Sequence, residues 1–112
     1  MTRHDDATRL RHMLDHAIEA TEMAQGRRRQ DLEADRQFRL ALTHLVQIVG
    51  EAAARVSPEA RNQWEAIPWS GIVGLRNRLI HGYDDVDLDI LWTIVQDDLP
   101  PLIAELRRIL SP

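Results

Sequence analysis

The chain predicts an all-α fold: an up-and-down bundle of about four to five helices, built as a single domain over residues 1–112. Three observations predict it. Apolar residues recur at three- and four-residue spacing along most of the chain and almost nowhere alternate as a strand would require. Helix-start chemistry stands where those stripes begin, at Ser57-Pro58 and at Asp87. The five prolines all lie near predicted helix ends or at one expected kink. A chain of 112 residues supports one core, and at this size an oligomer helps to bury apolar surface.

The elements follow in order. From about Asp6 to Gln25, residues Leu10, Met13, Leu14, Ala17, Ile18 and Thr21 share one side, the pattern of a surface helix packed on a core. Gly26 and the triplet Arg27-Arg28-Arg29 interrupt it. The longest, central helix is expected from about Leu32 to Val56, with Phe38, Leu42, Leu45, Val49 and Ala53 on a wide apolar arc. Gly50 and Ala54 within it are small enough to admit a neighbouring helix closely. Ser57 as N-cap and Pro58 at the first helical position open a short helix that Ile67-Pro68 must end. Trp69 and Ser70 begin the next helix, expected to close at Gly82. Asp87 caps the last one, whose inward stripe is Leu88, Leu91, Trp92, Val95 and Leu99. Ile90 and Ile94 form a second apolar face that suggests a partner helix, and Pro100-Pro101 should kink or break the rod before it continues from Leu102 to Leu110.

Composition narrows the function classes. The absence of cysteine excludes disulfides, thiolate metal sites and a cysteine nucleophile. There is no apolar run near the length of a membrane span, and the polar start TRHDDATRLRHM does not read as a secretion leader, so a cytoplasmic location is expected. The formal net charge is −4 and all 14 basic residues are arginine, a balance unsuited to coating a polyanion but compatible with one phosphate held locally. His12 and His16 have the one-turn spacing of metal ligands, yet they lie opposite the apolar stripe and Met13 stands where a zinc peptidase needs glutamate. No glycine-rich phosphate loop, Walker lysine or nucleophile elbow occurs. Neither a metal nor a cofactor is expected.

What remains is RNRLIHGY. Arg76 is followed after four residues by His81 and then by Tyr83, which sets a guanidinium, an imidazole and a phenol at a helix end. On an ideal helix, turning about 100° per residue, Arg76 falls inside the apolar arc of Ile72, Val73, Leu75, Leu79 and Ile80. A cation there is costly unless paired or needed. Asn77 and His81 lie one turn apart beside the small Gly74. The same residues also fit a helix end without chemistry, with Gly82 as the left-handed residue after the last turn and Arg76 snorkelling outward.

The run WSGIVGLRNRLIHGYDDVDLDILWTIVQDDLPPL, with IVGEAA at 48–53 upstream, resembles the HepT-like branch of the HEPN superfamily over nearly the whole chain. That resemblance implies a small all-helical homodimer acting as a toxin endoribonuclease. It also implies an antitoxin partner of the minimal nucleotidyltransferase (MNT) type, which transfers AMP to the motif tyrosine, here Tyr83. In such a reaction the 2′-hydroxyl of the RNA substrate attacks the neighbouring phosphate, with His81 as general acid or base, Arg76 neutralising the developing charge and Asn77 orienting one of them. Arg76 and Arg78 are the expected phosphate contacts. One chain supplies one visible proton carrier where two are wanted, which argues for a site composed from two protomers. Two other readings compete: a catalytically silent partner of a nucleotidyltransferase that holds a nucleotide through Arg76, and a dimerisation domain in which Arg76 pairs with Asp84 or Asp87.

Overall fold

The computed structural model describes residues 3–82 and 85–111, and among them every regular element is helical, as the sequence predicts. Tyr83 and Asp84 lie outside the described residues. Three long rods form the frame: α1 (Arg3–Ala24), α3 (Arg36–Ala54), and a rod running through α7 (Leu88–Thr93), a π-helical turn (Ile94–Asp98) and α8 (Leu99–Leu110). Short helices α2 (Asp31–Ala34), α4 (Pro58–Gln63), α5 (Trp69–Val73) and α6 (Leu75–Leu79) cross their ends.

The core lies where α1 packs on α3 and α8, closed by Leu10, Met13, Leu42, Val46, Val49 and Leu106, all essentially inaccessible to water. Each of these side chains contributes roughly 1.5–3 kcal/mol by leaving water. The start of α1 is fastened to α4 by a buried polar contact: Ser57 donates its N–H (2.9 Å) and its hydroxyl (2.7 Å) to the Asp6 carboxylate. The same Ser57 oxygen accepts the Ala60 N–H and caps α4, as the Ser-Pro pair predicts. No helix among the described residues is long and apolar enough to cross a membrane.

Four expectations are corrected. The expected central helix from Leu32 to Val56 is interrupted at Asp35, whose backbone is extended and whose carboxylate caps α3 by accepting the Phe38 N–H. α1, with 22 residues, is therefore longer than α3, with 19. The expected helix from Trp69 to Gly82 breaks at Gly74 and stops at Leu79. Beyond it the chain reverses in a tight ribbon: Ile80 bridges Val86, His81 N–H donates to the Asp85 carbonyl (2.9 Å), and Asp87 N–H donates to the Leu79 carbonyl (2.8 Å). Gly82 turns that ribbon at a φ of 128°, which side-chain-bearing residues rarely adopt.

The third correction concerns Ile94, which lies in the core with Leu91 and Val95 and does not share a second apolar face with Ile90. The wider π turn rotates the stripe so that Ile94 and Val95 both point inward. The fourth concerns the prolines. Leu99 N–H reaches back five residues to the Ile94 carbonyl, so the helix is already widened when Pro100 and Pro101 arrive at the start of α8, and the rod continues through them.

Candidate active site

Gly50 sets the position of the motif. A Cβ on it would stand 3.0 Å from the Ile72 carbonyl oxygen and 3.5 Å from the Leu75 Cβ, so α5 and α6 rest against the backbone of α3 itself. Trp69 ties the same segment to α4, its indole N–H donating to the Trp64 carbonyl at 3.1 Å. The motif residues are thus carried on elements fixed by packing.

With the helix broken at Gly74, Arg76 is not inside an apolar arc. It is exposed, as are Asn77 and Arg78, while Leu75 and Leu79 take the buried side. Arg76 and Asn77 line one wall of an open groove of about 780 Å³, together with Ile80, Gly82 and Val86. The opposite wall is the outer face of α3, presenting Leu40, Thr43, His44 and Gln47 at helical spacing. No carboxylate lines this groove among the described residues, and Arg76, Asn77 and His44 make no hydrogen bond or ion pair there. Among the described residues Arg76 is its one fixed charge.

His81 faces elsewhere. In the extended ribbon successive side chains alternate in direction, so Ile80 and Val86 face the groove while His81 and Asp87 meet on the reverse side. The His81 Nε2 stands 3.4 Å from an Asp87 carboxylate oxygen, with His81 half exposed. The Asp87 carboxyl is held below its ordinary range, chiefly by the Ile90 N–H it accepts as cap of α7, against some desolvation, and then by His81. Asp87 therefore remains an acceptor at neutral pH and orients the imidazole. The one-turn pairing of Asn77 with His81 does not form, because His81 has left the helix. Nor does Asp87 pair with Arg76.

Arg78 is separated from Arg76. It lies 3.4 Å from Asp98 and lines a second cleft of about 420 Å³ between α5–α6 and α8. Two arginines of the triplet are occupied with structure, while Arg28 is exposed. Arg27 pairs with Asp35 at 2.9 Å and Asp31 at 3.4 Å and stacks on the Phe38 ring, and Arg29 pairs with Glu33 and Asp89. His16 Nδ1 donates to the His12 carbonyl (2.7 Å), and no cluster of three histidines or carboxylates able to hold a metal occurs among the described residues. Sequence spacing missed His44 and Gln47. The available signal was that both fall on the polar side of an otherwise apolar helix.

Comparison with known proteins gives the family. A protein of Methanocaldococcus jannaschii assigned as an RNase is 35% identical over 75 residues, 67% of this chain and 69% of that one. A protein of Caldanaerobacter subterraneus subsp. tengcongensis, also assigned as an RNase, is 30% identical over 102 residues, 91% of each chain. One from Thermococcus cleftensis assigned as a HepT ribonuclease is 29% identical over 80 residues, 71% of this chain and 73% of that one. No solved structure matches the chain. The model of the family "Ribonuclease HepT-like" matches residues 13–109, which includes the groove and the ribbon, and the chain belongs to that HepT-like ribonuclease family.

Proposed function

We propose that the protein is a metal-independent endoribonuclease that acts in the cytoplasm as the toxin of a type VII-like HEPN/MNT toxin–antitoxin pair. The observation that carries this reading is the Arg76 groove: an unpaired guanidinium in a cleft with no carboxylate among the described residues, next to Asn77, in a chain whose relatives are assigned as RNases. Arg76 receives the scissile phosphate and stabilises the charge that builds on its oxygens. His81, oriented by Asp87, moves a proton, and Asn77 hydrogen-bonds a phosphate oxygen or the sugar. Attack by the 2′-hydroxyl leaves a 2′,3′-cyclic phosphate. Arg78 is a secondary phosphate contact, since an exposed ion pair such as that with Asp98 is worth little and exchanges readily.

Within one copy Arg76 faces the groove and His81 turns from it. A homodimer with the two motif segments face to face would bring the His81 of one copy to the Arg76 of the other. AMP on Tyr83, transferred by an MNT-type nucleotidyltransferase antitoxin, would add a negative phosphodiester and a base to the motif and so compete with an RNA phosphate. The test is cleavage by Tyr83→Phe with and without such a partner plus ATP. The variant is expected to retain most of its activity and to escape inactivation. If AMP transfer inactivates it like the parent protein, the regulatory reading is wrong.

A further inference from the structure

We propose that His44, on the outer face of α3, is the second proton carrier of the site, the general acid that protonates the 5′-oxygen as it leaves. This rests on the endoribonuclease reading above. Transfer to the 2′-hydroxyl moves two protons, and efficient cleavage wants a group for each. His81 is the only imidazole in the motif, whereas the groove that contains Arg76 contains His44.

Three observations place His44 in that role. It faces Arg76 and Asn77 across the same groove, 32 residues away in sequence, on a helix held rigidly by the buried Leu42, Leu45, Val46 and Val49 and by the backbone contact at Gly50. Sites carried on packed helices keep their geometry. His44 also has no hydrogen-bond or ionic partner among the described residues, so its ring is available to a ligand. Finally, His81 has Asp87 to stabilise the imidazolium that forms when it accepts a proton, the arrangement of a general base. The unpartnered His44 is left for the acid. Leu40, 47% exposed, lies one turn before His44 and together with Ile80 and Val86 offers an apolar contact for an unpaired base, which makes single-stranded RNA the substrate class.

In a two-copy site, a phosphate held by Arg76 of one copy meets that copy's His44 and the His81 of the other. His81 takes the 2′-hydroxyl proton, the 2′-oxygen bonds to phosphorus, and the bond from phosphorus to the 5′-oxygen breaks. The 5′-oxygen leaves with the electron pair and takes the proton of the His44 imidazolium. The products are a 2′,3′-cyclic phosphate and a 5′-hydroxyl, and solvent exchange restores both rings.

The experiment compares two short single-stranded RNAs in EDTA, one with ordinary linkages and one with sulfur replacing the leaving 5′-oxygen at a single linkage. A thiolate leaves without being protonated. His44→Ala and His44→Gln should cut the all-oxygen RNA slower by about 10²- to 10⁴-fold in kcat and the sulfur-linked RNA within a few-fold of the parent protein, whereas His81→Ala should be slow on both. Unchanged cleavage of all-oxygen RNA by the His44 variants would remove His44 from the chemistry and leave the ribonuclease reading standing. Equal slowing on both RNAs would also overturn the acid assignment. A parent protein inert on both RNAs would overturn the ribonuclease reading and this one with it.

Discussion

The two arginine-bearing segments of this molecule differ in what their guanidinium groups hold. At Arg27–Arg29 the charges are dense and two of the three are occupied: Arg27 bridges Asp31 and Asp35 and covers Phe38, and Arg29 ties the loop to Glu33 and to Asp89 at the start of α7. At Arg76–Arg78 the charge is sparse, yet Arg76 faces a groove with no carboxylate among the described residues to answer it. Density of positive charge is therefore a poor guide to where an anion binds here. What decides is whether neighbouring carboxylates already satisfy the cation.

Substitutions in the two segments should separate activity from stability. The largest expected effect is on activity. Arg76→Ala should lower kcat for RNA cleavage by about 10²- to 10³-fold, the cost of deleting one donor to the developing charge, while the thermal midpoint stays put because the side chain is exposed and unpaired. Arg27→Ala should do the reverse, lowering the midpoint and leaving kcat unchanged. Equal losses of cleavage in the two variants would mean that the triplet also contacts RNA.

A structural effect of middle size comes from Gly50→Ala. The added Cβ at 3.0 Å from the Ile72 carbonyl oxygen forces α5 outward, at a cost of about 1–3 kcal/mol in denaturant unfolding. Because α5 and α6 carry Arg76, cleavage should fall as well. An unfolding midpoint equal to that of the parent would show that the close approach is dispensable.

The smallest effect is acid sensitivity. The carboxyls of Asp31, Asp35 and Asp87 are all held below their ordinary range, each first by a backbone N–H, from Arg28, Phe38 and Ile90 respectively. A carboxyl that binds its proton less readily when folded stabilises the fold above the unfolded value, about 3.9, and that contribution is lost as pH falls through the lower folded value. The thermal midpoint should be flat above about pH 5 and decline below about pH 4. Arg27→Ala, which removes a partner of both Asp31 and Asp35, should make the decline shallower.

Much of the fold was legible because its signals are local. Ser57-Pro58 and Asp87 cap helices where their chemistry requires, the stripes of α1 and α3 face the core as their spacing predicts, and so do Leu91, Val95 and Leu99 of the last rod. The breaks were not legible. Leu32 and Phe38 are both buried, so the apolar arc runs on through Asp35 although the backbone does not, and only the cap made by its side chain marks the interruption. The same holds at Gly74, where the unbroken-helix assumption put Arg76 among apolar residues and Asn77 beside His81. The π turn is equally silent, since Ile94 and Val95 are adjacent apolar residues that periodicity assigns to different faces. Within the candidate site, Arg76 and His81 were singled out by spacing. The Asp87 contact and His44 were not, because one depends on the reversal of the ribbon at Gly82 and the other on the packing of α3 against α6.

In the proposed reaction protein side chains alone direct the RNA's own 2′-hydroxyl to its phosphate, and the chemistry of the cut ends decides whether they do. Single-stranded RNA incubated with the purified protein in EDTA and read by mass spectrometry should yield fragments ending in 2′,3′-cyclic phosphate, paired with 5′-hydroxyl ends, and none when the scissile nucleotide is 2′-deoxy. Fragments with 3′-hydroxyl and 5′-phosphate ends, or cleavage of the 2′-deoxy substrate, would contradict the account.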